Sequence, residues 1–300
     1  MSEIEFPEFV CPYAKRLAAK SRRFARQCYD PVRPIDQSEQ STNRAISPYS
    51  PDPFGELTHA SKCHGLKQRF PDRVLVMTSD RCFMNCRHCT RRGLLGKAQV
   101  VRTARELARC VAYVRRHPKV RDVLLSGGDV LTLPDDRVME FVDAFAALPQ
   151  VEVVRVCTRA LAANPARITA TLARRLARSK KVWVNTQFNC ADELTEAARA
   201  AVAKLVDRGI PVSCQTVLLR GVNDSGPEML KLLKALSAAR VRPYYVFQCD
   251  PVAGIDRFRV PLATARQIEL YCAERIGGLA LPRFVADLPG AKRKTPIAEL

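Results

Sequence analysis

Val74-Leu-Val-Met-Thr78 is a short apolar, β-branched run, and after three intervening residues comes Cys82-Phe-Met-Asn-Cys86-Arg-His-Cys89. The first stretch reads as a strand and the second as a loop at its C-terminal end. Three thiolates in one short loop can each bind an iron of a cubane cluster. The fourth iron then lacks a protein ligand and stays open. Such an iron can chelate the amino and carboxylate groups of S-adenosylmethionine (SAM) and pass an electron to its sulfonium. A zinc site usually draws four ligands from spaced pairs, and His88, between Cys86 and Cys89, is poorly placed to be the fourth. The spacing therefore predicts a 4Fe-4S cluster on Cys82, Cys86 and Cys89.

Working outward, further apolar runs occur at Val120–Leu125, Val151–Cys157, Val182–Thr186, Pro211–Leu219 and Val241–Gln248. Helical patterns lie between them, near Val101–Arg116, Asp135–Ala147, Pro165–Arg178, Ala191–Arg208, Pro227–Ala239 and Ala263–Ile276. Strands alternating with helices of this length argue for βαβ units in a parallel sheet. Right-handed crossovers would curl the units into an incomplete (β/α)6 parallel barrel. A seventh short strand, Pro282–Ala286, is expected over one edge. In such barrels function gathers on the loops after the strands' C-terminal ends, where the cysteines fall. Residues 1–70 read differently. A basic helical stretch, Tyr13–Tyr29, leads into Pro- and Ser-rich sequence at Asp30–Phe54, and the segment through Gly65 has no strong period. The expected division is an N-terminal, partly helical extension (1–70) and a barrel domain (71–300).

Composition narrows the class. The 12 cysteines would suggest disulfides in a small secreted chain, but this one has 300 residues and an acidic N-terminus without signal-peptide order. Nine are scattered through apolar stretches, where a reduced Cys packs as a small hydrophobe. No run of eighteen apolar residues exists, so no membrane span is expected and a cytoplasmic location follows as the default. The net charge of +19 fits solvated helix faces or an acidic partner. No RNP motif or interleaved aromatics accompany it, so nucleic acid is not the expected partner.

Leu124-Leu-Ser-Gly-Gly-Asp129 ends the second strand, and paired glycines there let backbone approach a ligand closely. One βα unit after the cysteines, the motif resembles the glycine motif with which radical SAM enzymes bind the SAM amino group. It assigns Ser126, Gly127, Gly128 and Asp129 to SAM. Longer matches follow in Phe70-Pro-Asp-Arg-Val74, Cys86-Arg-His-Cys-Thr-Arg-Arg92, Val217-Leu-Leu-Arg-Gly-Val-Asn-Asp224, Val241-Arg-Pro-Tyr-Tyr245 and Cys249-Asp250. Over about Gly65–Ile297 the chain thus resembles the lysine 2,3-aminomutase family. The resemblance implies a barrel of the radical SAM type, a 4Fe-4S cluster, SAM and pyridoxal 5′-phosphate (PLP).

It also implies roles. Lys294, before Thr295-Pro296, corresponds to the lysine that forms a Schiff base with PLP, with Lys292 as a rival. Arg69 and Arg73 resemble the basic pair near the PLP phosphate. Arg91 matches the arginine that clamps the substrate carboxylate, as a planar fork does well. Asp250 and Asp287 match the carboxylates that receive the substrate ε-ammonium. Gln215 and Gln187 are similar to SAM-side residues. The activity implied is transfer of the 2-amino group of a basic amino acid, L-lysine first, to carbon 3. An electron donor such as flavodoxin or ferredoxin would be needed.

This sequence departs from the family pattern in places. The glycine-rich loop before the PLP lysine is Gly290-Ala-Lys-Arg293, Gln187 stands where the family has histidine, and Thr158-Arg-Ala-Leu161 lacks the usual proline. The sequence ends at Leu300, before the segment through which many aminomutases contact partners, so homo-oligomerisation stays open. Three alternatives also stay open: the β-lysine-forming enzyme of elongation factor P modification, a PLP-independent radical SAM enzyme acting on RNA or a peptide, and a non-catalytic descendant.

Overall fold

Nine strands form one ladder whose spatial order is their chain order. The computed structural model describes residues 9–28, 52, 54, 63–92 and 100–300. The strands are β1 (Leu66–Phe70), β2 (Arg73–Ser79), β3 (Asp122–Gly127), β4 (Val153–Cys157), β5 (Val182–Thr186), β6 (Val212–Leu218), β7 (Arg242–Gln248), β8 (Arg283–Ala286) and β9 (Thr295–Pro296). β2 through β8 pair in parallel, while β1 and β9 add antiparallel at the two ends. Among the described residues no backbone pairing joins β9 back to β1. The sheet curls around a cavity but stays open.

Alternation sets the two faces. On β3, Val123 and Leu125 are fully buried against the helical layer, whereas Leu124 and Ser126 face the cavity. The parallel strands thus follow the sequence reading to within one or two residues at most ends. β1 is the difference. It lies in residues read as the end of the extension, yet it pairs into the sheet.

Four of the nine described helices start where a side chain caps them, at Ser21, Thr103, Thr169 and Thr195. α1 (Pro12–Lys20) and α2 (Arg22–Ala25) replace the single basic helix expected; Ser21 breaks it, its hydroxyl accepting from Phe24 N–H at 3.1 Å. The Pro- and Ser-rich stretch 30–54 lies outside the described residues apart from 52 and 54. α3 (Ala104–Arg115) begins at a capping box of Thr103 and Glu106. α4 is Asp135–Ala146, and α5 is a single turn, Ala160–Ala163. α6 (Ala170–Arg178) starts after Thr169 and a 3-10 turn at Pro165–Arg167. α7 (Glu196–Val206) likewise starts after Thr195 and a 3-10 turn at Ala191–Glu193. α8 (Gly226–Ala238) and α9 (Leu262–Ala273) complete the layer. No helix among the described residues is long and apolar enough to cross a membrane.

A second, smaller core joins α1 and α2 to the cysteine loop. Phe24, Ala14 and Cys28 pack with Met84, Leu219, Val252 and Phe258. Backbone bonds reinforce it: Cys11 N–H donates to Phe83 O at 2.9 Å, Asn85 N–H to Phe9 O at 2.8 Å and Arg87 N–H to Gln27 O at 3.0 Å. The extension therefore grips the loop between Cys82 and Cys89 directly.

Thr195 serves two joints. Its Oγ1 accepts from Ala198 N–H at 3.1 Å and lies 2.7 Å from the Tyr13 hydroxyl. Thr195→Ala should cost about 1–2 kcal/mol, the usual cap loss plus one hydrogen bond. Urea unfolding of the two proteins checks this; equal midpoints would rule out the cap as a significant anchor.

Candidate functional site

The curled sheet encloses a cavity of about 880 Å³. Every residue assigned a site role from sequence lines it: Cys82, Cys86 and Cys89; Ser126, Gly127, Gly128 and Asp129; Gln187 and Gln215; Arg69, Arg73 and Arg91; Asp250, Asp287 and Lys294. Lys292, the rival lysine, is exposed and does not line it.

At one end stand the three thiols. Burial, then the neighbouring charges of Cys89, Asp129 and Cys86, pushes the Cys82 thiol well up. Burial, then Cys86, pushes Cys89 up to about 11, and the Arg91 N–H opposes this. Cys82 and Cys89 thus lie within electrostatic reach of each other and of Cys86, and both resist ionising without a positive partner. Among the described residues no three His, Cys, Asp or Glu side chains converge as ligands of one ion. A cubane asks for something different, one iron for each thiolate.

The glycine pair does more local work than the sequence reading gave it. Gly128 N–H donates to Ser79 O at 2.6 Å, and Asp129 N–H to Arg81 O at 2.7 Å. A Cβ on Gly128 would stand 2.2 Å from Arg81 O, and one on Gly127 (φ +115°) would stand 2.6 Å from Ser79 O. The close approach is to the backbone that delivers Cys82. Asp129 is buried and its carboxylate is engaged: it accepts from Leu131 N–H at 2.9 Å, Thr158 Oγ1 at 2.7 Å and Arg159 N–H at 2.7 Å.

Behind the cysteines lies a polar network that the sequence reading did not find. Arg159 Nη1 donates to Cys86 Sγ at 2.8 Å, and Nη2 contacts both Gln27 Oε1 and, at 3.1 Å, Glu193 Oε2. Gln187 Nε2 is 3.2 Å from His88 Nε2, and Asn189 Nδ2 is 3.4 Å from it. Both amide nitrogens donate, so this His88 nitrogen accepts and the ring is neutral. Burial and Arg159 favour the same neutral form. Gln215 accepts from the Tyr244 hydroxyl at 3.1 Å, which in turn accepts from Asn185 Nδ2 at 2.9 Å.

At the other end, charges converge. Lys294 Nζ ion-pairs with Asp287 Oδ2, and Arg69 Nη1 lies 2.8 Å from Asp287 Oδ1 as an ion pair rather than an aligned hydrogen bond. Arg69 Nη2 also donates to Leu288 O at 2.9 Å. Lys294 Nζ stands 5.4 Å from the Phe70 ring centre and 5.5 Å from that of Phe247. The Arg73 guanidinium covers Phe70 at 4.3 Å. Burial lowers the Lys294 pKa against the pull of Asp287. Burial, then the charge of Asp287, raises Asp250 to about 7, and its Oδ1 is buried without a hydrogen-bond partner among the described residues.

The Asp250 shift has a sign in stability. Between about pH 4, where an unfolded aspartate ionises, and about pH 7, the folded chain holds a proton that the unfolded chain has lost. Stability therefore falls as pH rises through that window, by up to about 1.4 kcal/mol per pH unit. Asp250→Asn should remove this fall. Unfolding midpoints of both proteins at pH 5 and pH 7.5 test it, and parallel pH profiles would refute it.

A family profile described as the radical SAM superfamily matches residues 76–233. The chain is 41% identical over 246 residues to an L-lysine 2,3-aminomutase of Fusobacterium nucleatum, covering 82% of this chain and 58% of that protein. An L-lysine 2,3-aminomutase of Clostridium subterminale is also 41% identical over 246 residues, with 82% and 59% covered. A glutamate 2,3-aminomutase of Clostridioides difficile is 34% identical over 247 residues, with 82% and 58% covered. The chain thus spans less than two thirds of these relatives' length. Among solved structures, Streptococcus suis SuiB bound to S-adenosylmethionine matches with a TM-score of 0.54 at 16% identity, over 73% of this chain and 51% of that one. That likeness concerns the fold.

Proposed function

This chain belongs to the radical SAM superfamily, and from that premise we propose that it is an aminomutase moving the 2-amino group of L-lysine to carbon 3. One observation carries the reading: the cysteine triad, a lysine of lowered pKa and two aspartates open onto the same cavity. The superfamily implies a 4Fe-4S cluster and SAM. The residues here fit them, since three thiols of one loop face the cavity and leave a cluster corner without a protein ligand. PLP fits as well, on Lys294 beside Arg69 and Arg73. When bound, the cluster and SAM supply a 5′-deoxyadenosyl radical that abstracts hydrogen, and PLP supplies a ring that spreads an unpaired electron.

The chain's own residues would do the following. Cys82, Cys86 and Cys89 bind three irons, and Ser126, Gly127, Gly128, Asp129, Gln187 and Gln215 form the SAM side. Lys294 carries PLP; its burial favours the neutral amine, which is the nucleophilic form. Arg69 and Arg73 supply positive charge for a phosphate. Arg91 grips the substrate α-carboxylate. Asp250 and Asp287 receive the ε-ammonium, a pair that suits lysine and repels the second carboxylate of glutamate. The curled sheet excludes water from the reacting atoms. The reducing electron comes from a carrier such as flavodoxin or ferredoxin, acidic in keeping with the +19 charge of this chain.

Anaerobic incubation with lysine, SAM, PLP and a reductant should yield β-lysine, detected by chromatography and mass. Turnover of arginine alone would move the substrate and keep the reaction. The net charge also favours a second reading, a PLP-independent enzyme acting on RNA or a peptide. Borohydride trapping separates the two, because PLP fixed to Lys294 excludes the second.

A further inference from the structure

Arg159 sits deeper than a solvated arginine would. Its side chain is 10% exposed, and its partner Glu193 is fully buried. Glu193 is itself held, accepting from Asn189 N–H at 2.8 Å, Cys190 N–H at 3.0 Å and Gln27 Nε2 at 2.9 Å. Gln27, fully buried, also takes Asn189 Nδ2 at 2.8 Å on the oxygen that meets Arg159. The guanidinium is therefore fixed by the carboxylate of Glu193 and the amide of Gln27, while Asp129 anchors the Arg159 backbone N–H. Its remaining fork points at Cys86 Sγ, and its Nε–H has no partner among the described residues.

An ion pair this buried is costly to assemble, and its worth to stability alone is small. A fixed cation against one cluster ligand has a different use. Hydrogen bonds and positive charge at a coordinating sulfur stabilise the electron-richer state of a cluster and raise its reduction potential. Glu193 offsets part of the charge of Arg159, but it meets Nη2, whereas Nη1 is the nitrogen that donates to the sulfur.

We propose that Arg159 is a positioning residue for the cluster: locked by Gln27 and Glu193, it donates a charge-assisted hydrogen bond to the Cys86 ligand and makes the cluster easier to reduce. The inference rests on the cluster assignment above and extends it to the extension, because Gln27 belongs to the segment that packs on the cysteine loop. Segment 9–28 would then tune the cluster electronically as well as cover it.

The test is an EPR-monitored redox titration of anaerobically reconstituted protein without SAM, with iron counted in each variant. Arg159→Met should keep its iron and lower the midpoint, making reduction about tenfold less favourable, or about 59 mV for one electron. Arg159→Lys should recover most of the shift. Gln27→Met, which loosens the arginine without removing it, should move the midpoint the same way by less. An Arg159→Met protein with full iron and the wild-type midpoint overturns the proposal. If Arg159→Met loses its iron, Gln27→Met decides, and an unmoved midpoint there overturns it equally. Wild-type protein that takes up no iron would refute the cluster assignment and this inference with it, whereas an iron-loaded wild type with unshifted variants refutes this inference alone.

Discussion

Asp287→Asn is expected to lower kcat/KM for lysine by roughly 30- to 5000-fold. Removing one partner of a buried charged contact costs about 2–5 kcal/mol, and each 1.4 kcal/mol is tenfold. Asp287 is the more consequential of the two aspartates because it serves two cations at present, Lys294 and Arg69. Neutralising it leaves the Lys294 ammonium buried with less support, which pushes its pKa further down. Asp250 Oδ1 has no hydrogen-bond partner among the described residues and supports Lys294 through its charge less than Asp287 does, so Asp250→Asn should act chiefly on the substrate ammonium. Comparing lysine with norleucine, which lacks that ammonium, in both variants separates the effects. An Asp287→Asn enzyme within threefold of wild type on lysine would remove this residue from the ammonium site.

Gly128→Ala should have an effect of similar size by a steric route. The new methyl would stand 2.2 Å from Arg81 O and 2.8 Å from Arg81 N and C. These are backbone atoms, so the strand-to-loop junction must move, and Cys82 is the next residue along it. Overpacking of this kind costs about 1–3 kcal/mol, and the displaced ligand should leave iron well below about four atoms per chain. Gly209→Ala is the control. Gly209 has φ +74° with nothing near its absent Cβ, so only the backbone preference is lost, about 1–2 kcal/mol. Iron content as high in Gly128→Ala as in Gly209→Ala would contradict the steric account.

Much of this was legible in the sequence, for identifiable reasons. The parallel strands announce themselves as β-branched runs because one face packs under the helices and the other lines the cavity; Val182–Thr186 has the expected bounds. β1 did not, because Lys67-Gln-Arg69 interrupts any apolar period on an end strand that is only partly buried. β9 is two residues long and carries no pattern at all. The start of α3 was readable in principle, since Thr103 with Glu106 three residues later is a capping-box signature. That the assigned residues share one cavity was legible because ordered motifs carry them. Arg159 was not. It is one cation among 49 Lys and Arg, and its partners lie 73, 132 and 34 residues away. Only folding makes it distinctive.

The missing pairing between the first and last strands has a consequence for the chain as a machine. Where a closed barrel would be stitched by backbone, this one is fastened by side chains: Arg69 from β1 reaches across to Asp287 and to Leu288 O beyond β8, and Lys294, beside β9, joins the same carboxylate. The seam of the sheet and the charged end of the cavity are one clasp. Under the proposed assignment the substrate ammonium would meet that same carboxylate, so filling the site and holding the two margins together would draw on one group.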